Sequence, residues 1–394
     1  MSFKFLNYSF DNQTGIAKFS YQGKDEIIFT ETIDFTPSTA EYNPAVLDSA
    51  LFFASIVIGT SYYKADPTAT IELSRPLSKT AADFFNQIYQ DGLSQFAFEN
   101  HLTRDELAHF TSNTEATNHS DSTPTTATTL ALISGGKDSL LAAELLNEKQ
   151  RPFKAMYVSS GESYPTILND FDNPIIISRH IDKENLRKAD GKNGHVPVTL
   201  IIQAIALIQA VLLGYDSIEL GIGKEGLEPH AWIKDLPVNH QWSKTETAQN
   251  LLQQYVASNI TTDIKFTSSL AGFTELEIAK QFAEKCWDKY GDKFSSCNVA
   301  NYKQGTNNHE LKWCGKCAKC ANSYLLFAPF IPYEKQYQIF GRDLFTDPEM
   351  TDFFKGLLNV DGVIKPFECV ASYDELKWAY QHKLAGYGDL PFEV

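Results

Sequence analysis

Apolar and polar positions alternate in three stretches near the start of the chain, FKFLNYSF, GIAKFSYQ and DEIIFTETIDF, separated by the turn signals DNQTG and QGKD. A period of two, rich in aromatic and β-branched residues, predicts strands with one buried face, and the short polar turns predict a three-stranded meander. Helical patterns follow over residues 45–58 and 80–91. Together these predict a small α+β unit over residues 1–111, a usual domain size. Nothing in it carries obvious chemistry, so its expected role is packing, capping of a substrate or subunit contact. Residues 112–129, SNTEATNHSDSTPTTATT, are almost wholly small and polar. They hold too little apolar surface to offset the entropy of ordering, which predicts a linker or disordered loop.

Over residues 130–394 the pattern changes. The candidate strands TLALIS, FKAMYVS, PIIISRH, SIELGIG and DIKFTSS alternate with the helical runs LLAAELLNE, VTLIIQAIALIQAVLLG and KTETAQNLLQQYVAS. Such alternation predicts an α/β architecture, a parallel sheet with helices on both faces. Ser243, with Glu246 three residues on, has the capping-box pattern and predicts the start of the last helix. The most apolar runs, at residues 50–59 and 204–214, are too short to span a bilayer and read as core helices.

Where the first of these strands meets its helix stands Ser134-Gly135-Gly136-Lys137-Asp138-Ser139. Two glycines allow positive φ and close backbone approach. The free amides and dipole of the following helix favour an anion. Lys137 adds charge, Ser134 and Ser139 add hydroxyls, and Asp138 could hold a magnesium ion. The spacing is not that of Walker A. SGG-x-DS in this setting resembles the PP-loop of the ATP pyrophosphatases, which implies a PP-loop (HUP-like) fold and cleavage of ATP to AMP and pyrophosphate. An ordinary glycine turn capping a helix is the plainer alternative.

Cys314, Cys317 and Cys320 recur at two-residue gaps, with Cys297 upstream in FSSCN. Four thiolates are the number a closed tetrahedral zinc site needs, and with all four positions filled such a metal would be structural. Disulfides and scattered core cysteines are the competing readings. A similar upstream Cys with CxxCxxC occurs in 7-cyano-7-deazaguanine synthase, itself a PP-loop enzyme. Cys286 reads as a small core residue.

Charge narrows the partners. A formal net charge of -15 over 394 residues argues against a sequence-independent grip on nucleic acid, which needs clustered Lys and Arg. The N-terminal MSFKFLNYSFDNQTG has no long apolar stretch of signal-peptide type. The expectation is a soluble cytoplasmic protein acting on small molecules, with neither nucleic acid nor membrane as partner.

NGHVPVT, PVNHQWSK, FSSCN, WCGKCAKC followed by APF, and KPFECV stand in that order behind SGGKDS. In this the chain resembles the ATP-dependent UDP-N-acetylmuramoyl-L-alanyl-L-glutamate epimerases, over nearly its whole length outside the linker. The resemblance implies a UDP-linked muramoyl dipeptide substrate whose terminal L-Glu becomes D-Glu in peptidoglycan precursor synthesis. It implies ATP and Mg2+ at Ser134–Ser139, and Zn2+ at the four cysteines. His240 and Cys369 are the candidates for moving the α-proton, with Lys365 and Glu368 as further catalytic candidates. Asn239, Gln241, Lys244 and His195 are candidates for holding substrate carboxylate or phosphate, His195 also for proton transfer. The chain departs from the family pattern at residues 221–226, GIGKEG, and at Ala371-Ser372 after KPFECV. Another PP-loop enzyme adenylating a small carboxylate (an amide or nitrile synthase), a tRNA-modifying enzyme, and a non-catalytic nucleotide-binding module are the alternatives.

Overall fold

The computed structural model describes residues 2–38, 40–113, 116–301 and 307–394. Its strands are β1 (Phe3–Asp11), β2 (Ile16–Gln22), β3 (Ile28–Asp34), β4 (Ile71–Glu72), β5 (Thr126–Leu132) and β6 (Phe153–Ser159). They continue with β7 (Ile175–His180), β8 (Tyr215–Glu219), β9 (Ala231–Ile233), β10 (Leu236–Val238) and β11 (Lys265–Thr267). All but β9 and β10, which make a separate hairpin, join one sheet in the order β11-β8-β5-β6-β7-β3-β2-β1-β4.

The expected parallel sheet is its first half: β11, β8, β5, β6 and β7 pair in parallel. From β5 the chain steps one way through β6 to β7, then crosses back to β8 on the other side of β5. That reversal leaves a crevice beyond the carboxyl ends of β5 and β8, where open α/β sheets bind ligands. Alternation along β5 assigns its side chains to two cores. Leu130 joins the core under the helices Pro44–Tyr63 and Val198–Leu213, while Ala131 joins the core under Lys137–Glu148, Glu275–Lys285 and Ala318–Phe327. The helix Pro44–Tyr63 is long and apolar enough to cross a membrane, but 83% of its most apolar 18-residue stretch is buried inside the protein.

The expected meander is present as β1, β2 and β3, yet it does not stand apart. β3 pairs antiparallel with β7, Ile33 opposite Arg179, so residues 1–111 continue the sheet of the later residues. The reason is an edge: β7 would otherwise end the parallel sheet with unpaired N–H and C=O groups. The polar segment that follows is also anchored. Ser122 Oγ and Thr123 N–H donate to Asp263 Oδ2 at 2.7 and 2.8 Å, and Asn43 Nδ2 donates to Ser122 O at 2.9 Å. β5 already begins at Thr126, inside the expected linker, whose residues 114 and 115 lie outside the described residues.

The helix Glu246–Asn259 is capped by Thr245, whose Oγ1 accepts from Ala248 N–H, and not by Ser243. Ser243 sits buried in a tight turn, Trp242–Lys244, where its carbonyl accepts from Gln249 Nε2 at 2.5 Å. Burial of Trp242 in the core holds that turn outside the helix.

The seam between the two halves of the sheet is closed by a buried ion pair. Arg179 Nε donates to Glu31 Oε1 at 2.6 Å and its Nη2 to Glu31 Oε2 at 3.1 Å; Tyr62 OH donates to Glu31 Oε2 at 2.8 Å, and Arg179 Nη2 also reaches Ser61 Oγ. Removing one member strands the other charge in low dielectric, at a cost of about 3–5 kcal/mol. Glu31→Ala should therefore lower the unfolding free energy by that much, read as a fall in the urea midpoint at unchanged m-value, while the double change Glu31→Leu with Arg179→Met recovers most of it. An unchanged midpoint in the single variant would show that the pair does not hold the seam.

Candidate functional site

The SGGKDS turn lies at the end of β5, and its helix, Lys137–Glu148, starts with Gly136 as N-cap and no side-chain cap. Its first amides thus remain available to a ligand. Gly135 has φ +85°, and a Cβ there would come within 2.3 Å of Leu311 Cδ1; at Gly136 one would come within 2.7 Å of Ser296 Oγ. Across the switch point, Gly221 backs onto the same helical turn, where a Cβ would lie 2.8 Å from Ser139 N. The departure from the family pattern at 221–226 thus begins at a residue that packs on the turn itself.

The turn opens into a cavity of about 390 Å³. Ser134, Gly136, Asp138 and Ser139 line it together with His240, Lys244, Glu368 and Cys369. Residues from two distant parts of the sequence, including both candidates for proton transfer, therefore share one crevice with the glycine turn.

Lys137 does something other than face a phosphate. It is buried, and its Nζ lies 2.5 Å from both Asp138 Oδ1 and Glu275 Oε2. Burial works against its charge, but the two carboxylates outweigh that and raise its pKa. Asp138 is likewise opposed by burial, and Lys137, Lys244 and Lys319 together hold its carboxyl below the ordinary value. A second buried pair, Lys244 with Glu225 at 2.8 Å, sits alongside; burial pushes the Glu225 carboxyl up. Glu275 lies outside every motif in the sequence, and Glu225 and Lys319, though they fall within GIGKEG and WCGKCAKC, are not singled out there.

The remaining candidates divide. Lys365 does not line the crevice: its buried Nζ pairs with Glu228 Oε2 at 2.7 Å beneath the Tyr373 ring. Gln241 is buried and donates to Val370 O at 3.1 Å, and Asn239 donates to Gly226 O at 2.9 Å, so both brace loops. Lys319 donates to the carbonyl of Cys369 and fixes that loop. Ser372, the other departure, caps the helix Tyr373–Gln381 in a capping box with Glu375. His195 packs on His240 with ring centres 4.4 Å apart, and His230, which the sequence did not single out, lies 6.2 Å from His240 and stacks on Phe367. Burial first, then the neighbouring rings, pulls His195 down to about 3 and His230 to about 4; burial likewise takes His240 to about 4.

The four cysteines converge. Their sulfurs all lie within 4.8 Å of one another, with Cys297–Cys317 and Cys314–Cys320 at 3.7 Å and Cys317–Cys320 at 3.5 Å. Those separations are far from the disulfide bond length of about 2.05 Å. They match the roughly 3.8 Å edge of a tetrahedron with metal–sulfur distances near 2.3 Å. Backbone N–H groups of Gly315, Lys316 and Ala300 point at the sulfurs at 3.3, 3.3 and 3.4 Å. The cluster could bind a metal such as zinc. Cys286 is buried in the core, as expected.

Unfolding would return the three histidines to water, where imidazole titrates near pH 6.5. Their folded values lie lower, so the unfolded chain binds more protons as pH falls from about 6.5 to 4. Their contribution is complete above that window and is lost through it, on the order of 1–2 kcal/mol each by pH 5. The melting temperature should drop across this range, and His230→Phe should flatten the slope. Parallel curves for the two proteins would contradict the assignment.

Comparison with known proteins agrees with this architecture. The family model of the MurL N-terminal domain matches residues 1–269, and that of the MurL C-terminal domain matches residues 293–386. The first runs straight through the polar segment, as the continuous sheet does. A UDP-N-acetyl-alpha-D-muramoyl-L-alanyl-L-glutamate epimerase of a Micromonospora species is 33% identical, over 95% of this chain and 85% of its own. Proteins of the same name from Salinispora tropica and Xanthomonas oryzae pv. oryzae are 32% and 29% identical, over 95% and 96% of this chain and 83% and 84% of theirs. With both domain models matched and relatives aligned along nearly its full length, the chain belongs to the MurL family.

Proposed function

We propose that this protein inverts the terminal L-glutamate of UDP-N-acetylmuramoyl-L-alanyl-L-glutamate to D-glutamate, by way of an acyl-adenylate formed with release of pyrophosphate from ATP. The observation that carries the reading is the shared crevice. A glycine turn suited to phosphates opens beside His240 and Cys369, an imidazole and a thiol, side chains whose chemistry lets them take up and deliver a proton.

The chemistry explains why an epimerase needs a nucleotide. The α-proton beside a free carboxylate is very weakly acidic, because the carbanion would be a dianion. Adenylation removes that charge and lets the carbanion delocalise as an enolate. Ser134, the Gly135 and Gly136 amides and Ser139 would hold the pyrophosphate. Asp138, whose carboxylate is kept ionised and lines the crevice, would hold Mg2+ through hard oxygen. His240 and Cys369 would serve the two faces of the α-carbon, and water then cleaves the mixed anhydride. Lys244 and Glu368 line the same space and are suited to positioning the substrate. Zn2+ in the cysteine cluster would have all four positions taken by sulfur, so it would supply folding energy and no open coordination site.

Incubated with ATP, magnesium and the muramoyl dipeptide, the protein should release AMP and pyrophosphate, and in heavy water should place deuterium at the glutamate α-carbon. Asp138→Asn should lose both by about 10²-fold or more without unfolding, since the charge it removes faces the crevice. Formation of ADP, or a fully active variant, would sink the proposal.

Purified protein should carry about one zinc per chain. Zinc sites of this kind are worth on the order of 10–16 kcal/mol in peptides. Cys317→Ser should therefore cause insolubility or a large fall in melting temperature, with adenylation and inversion lost together. Elemental analysis without metal, and disulfides in the mass spectrum, would refute this.

A further inference from the structure

The short helix Ser94–Glu99 comes from the part of the chain where the sequence shows no chemistry, yet it abuts His240. Gln95 is buried, its Oε1 lies 2.7 Å from His240 Nδ1, and its Nε2 donates to Glu99 Oε1 at 2.7 Å. A carboxylate only accepts, so the amide nitrogen of Gln95 must face Glu99 and its carbonyl oxygen must face the imidazole. That oxygen can only accept in turn, so the hydrogen of a neutral His240 sits on Nδ1 and the lone pair on Nε2. Nε2 has no hydrogen-bond partner among the described residues, and the ring lines the crevice. Phe98 of the same helix packs on Phe367 at 5.6 Å, tying the helix to the loop that carries Cys369.

We propose that Gln95 and Glu99 are positioning residues that lock His240 in the Nδ1–H tautomer, making Nε2 the base that takes the substrate's α-proton. This rests on the epimerase reading above. In the step, the C–H electron pair stays on the substrate as the enolate and the proton passes to Nε2. The imidazolium keeps its Nδ1–H bond to Gln95. Cys369 delivers a proton to the other face and is left as thiolate, and exchange with solvent resets both groups. The groups facing His240 are His195 and His230 as rings, and Glu368, Lys319, Lys244 and Glu99 as charges. None of those carboxylates hydrogen-bonds the ring among the described residues, and burial favours its neutral form, so it enters the cycle ready to accept.

The test combines a spectroscopic and a kinetic arm. In histidine-15N NMR of the full chain without ligand at pH 7, with His240→Gln identifying the signal, His240 should be the Nδ1–H tautomer, and Gln95→Leu should abolish that preference. Kinetically, Gln95→Leu should cut α-deuteration about 10²-fold while pyrophosphate release stays within roughly threefold. Gln95→Glu places a carboxylate on Nδ1 and should move the acid limb of α-deuteration up by about one pH unit or more. Glu99→Gln should lower α-deuteration in the same selective way. A merely structural role would depress both activities together and leave the pH limb where it was, which overturns the proposal. An Nε2–H tautomer in the unaltered protein overturns it whatever the substrate. If the dipeptide elicits no turnover but a Gln95-dependent Nδ1–H tautomer is found, the lock stands and the epimerase reading fails.

Discussion

A charge taken out of water has to be matched by another, and the crevice is assembled around that constraint. Glu275, Lys137 and Asp138 form one buried run, and Lys244 with Glu225 another beside it. Left alone, any of these charges would cost several kcal/mol even after relaxation. The five charges come from four stretches of chain: the glycine turn, the loop after β8, the turn before Glu246–Asn259, and the helix Glu275–Lys285. The charges beside the glycine turn are therefore matched only when these separate stretches have packed together. The arrangement also decides what is left to face a ligand. Lys137 is consumed below the turn by its two carboxylates, so the free amides of the helix and the hydroxyls of Ser134 and Ser139 are the groups that would meet phosphates in the proposed reaction, with Asp138 kept ionised beside them.

Much of this was legible in the sequence where the physics is local. The parallel strands, the glycine turn and the cysteine spacing are patterns of a few residues that force their own conformation or chemistry, and the structure places all of them. What escaped is the work of tertiary contact. Glu275 stands in TELE, which reads as an ordinary helix start, and indeed Thr274 and Glu277 form that capping box. Nothing in the pattern says that Glu275 turns inward to Lys137. Lys137 itself reads as a phosphate cation because the motif cannot show that a carboxylate waits beneath it. The segment 112–129 reads as free because composition counts apolar surface and misses hydrogen bonds such as those from Ser122 and Thr123 to Asp263.

The same distinction explains how the cysteine segment bears on a site it does not serve chemically. Ser295 N–H donates to Gly135 O at 3.2 Å, and its Oγ accepts from Cys297 N–H at 3.0 Å while donating to Lys312 O at 2.8 Å. Leu311 and Ser296 close over the two glycines, and Cys297 lines the crevice. The wall opposite the turn is therefore the flank of the sulfur cluster. Metal bound there would set the width of the crevice beside the glycine turn without lying in it.

Inversion through an activated carboxylate asks for two machines at one carbon, an anion cradle and a pair of proton carriers. In the proposed reaction the sheet would supply the first at its switch point, where strand ends diverge and helix amides are free. It cannot supply the second, because the glycine turn and the strand ends beside it carry neither imidazole nor thiol. Those groups come instead on loops from outside the sheet: PVNHQ brings His240 and KPFEC brings Cys369. Loops are loose by default, so each is braced by contacts that do no chemistry. Lys319 holds the Cys369 carbonyl, Gln241 holds the carbonyl of Val370, and Gln95 holds His240. The N-terminal region is joined to the sheet through β3 and β7, and this is what lets its helix reach the imidazole. A free-standing domain on a flexible linker could not hold a hydrogen bond of 2.7 Å to a ring in the crevice.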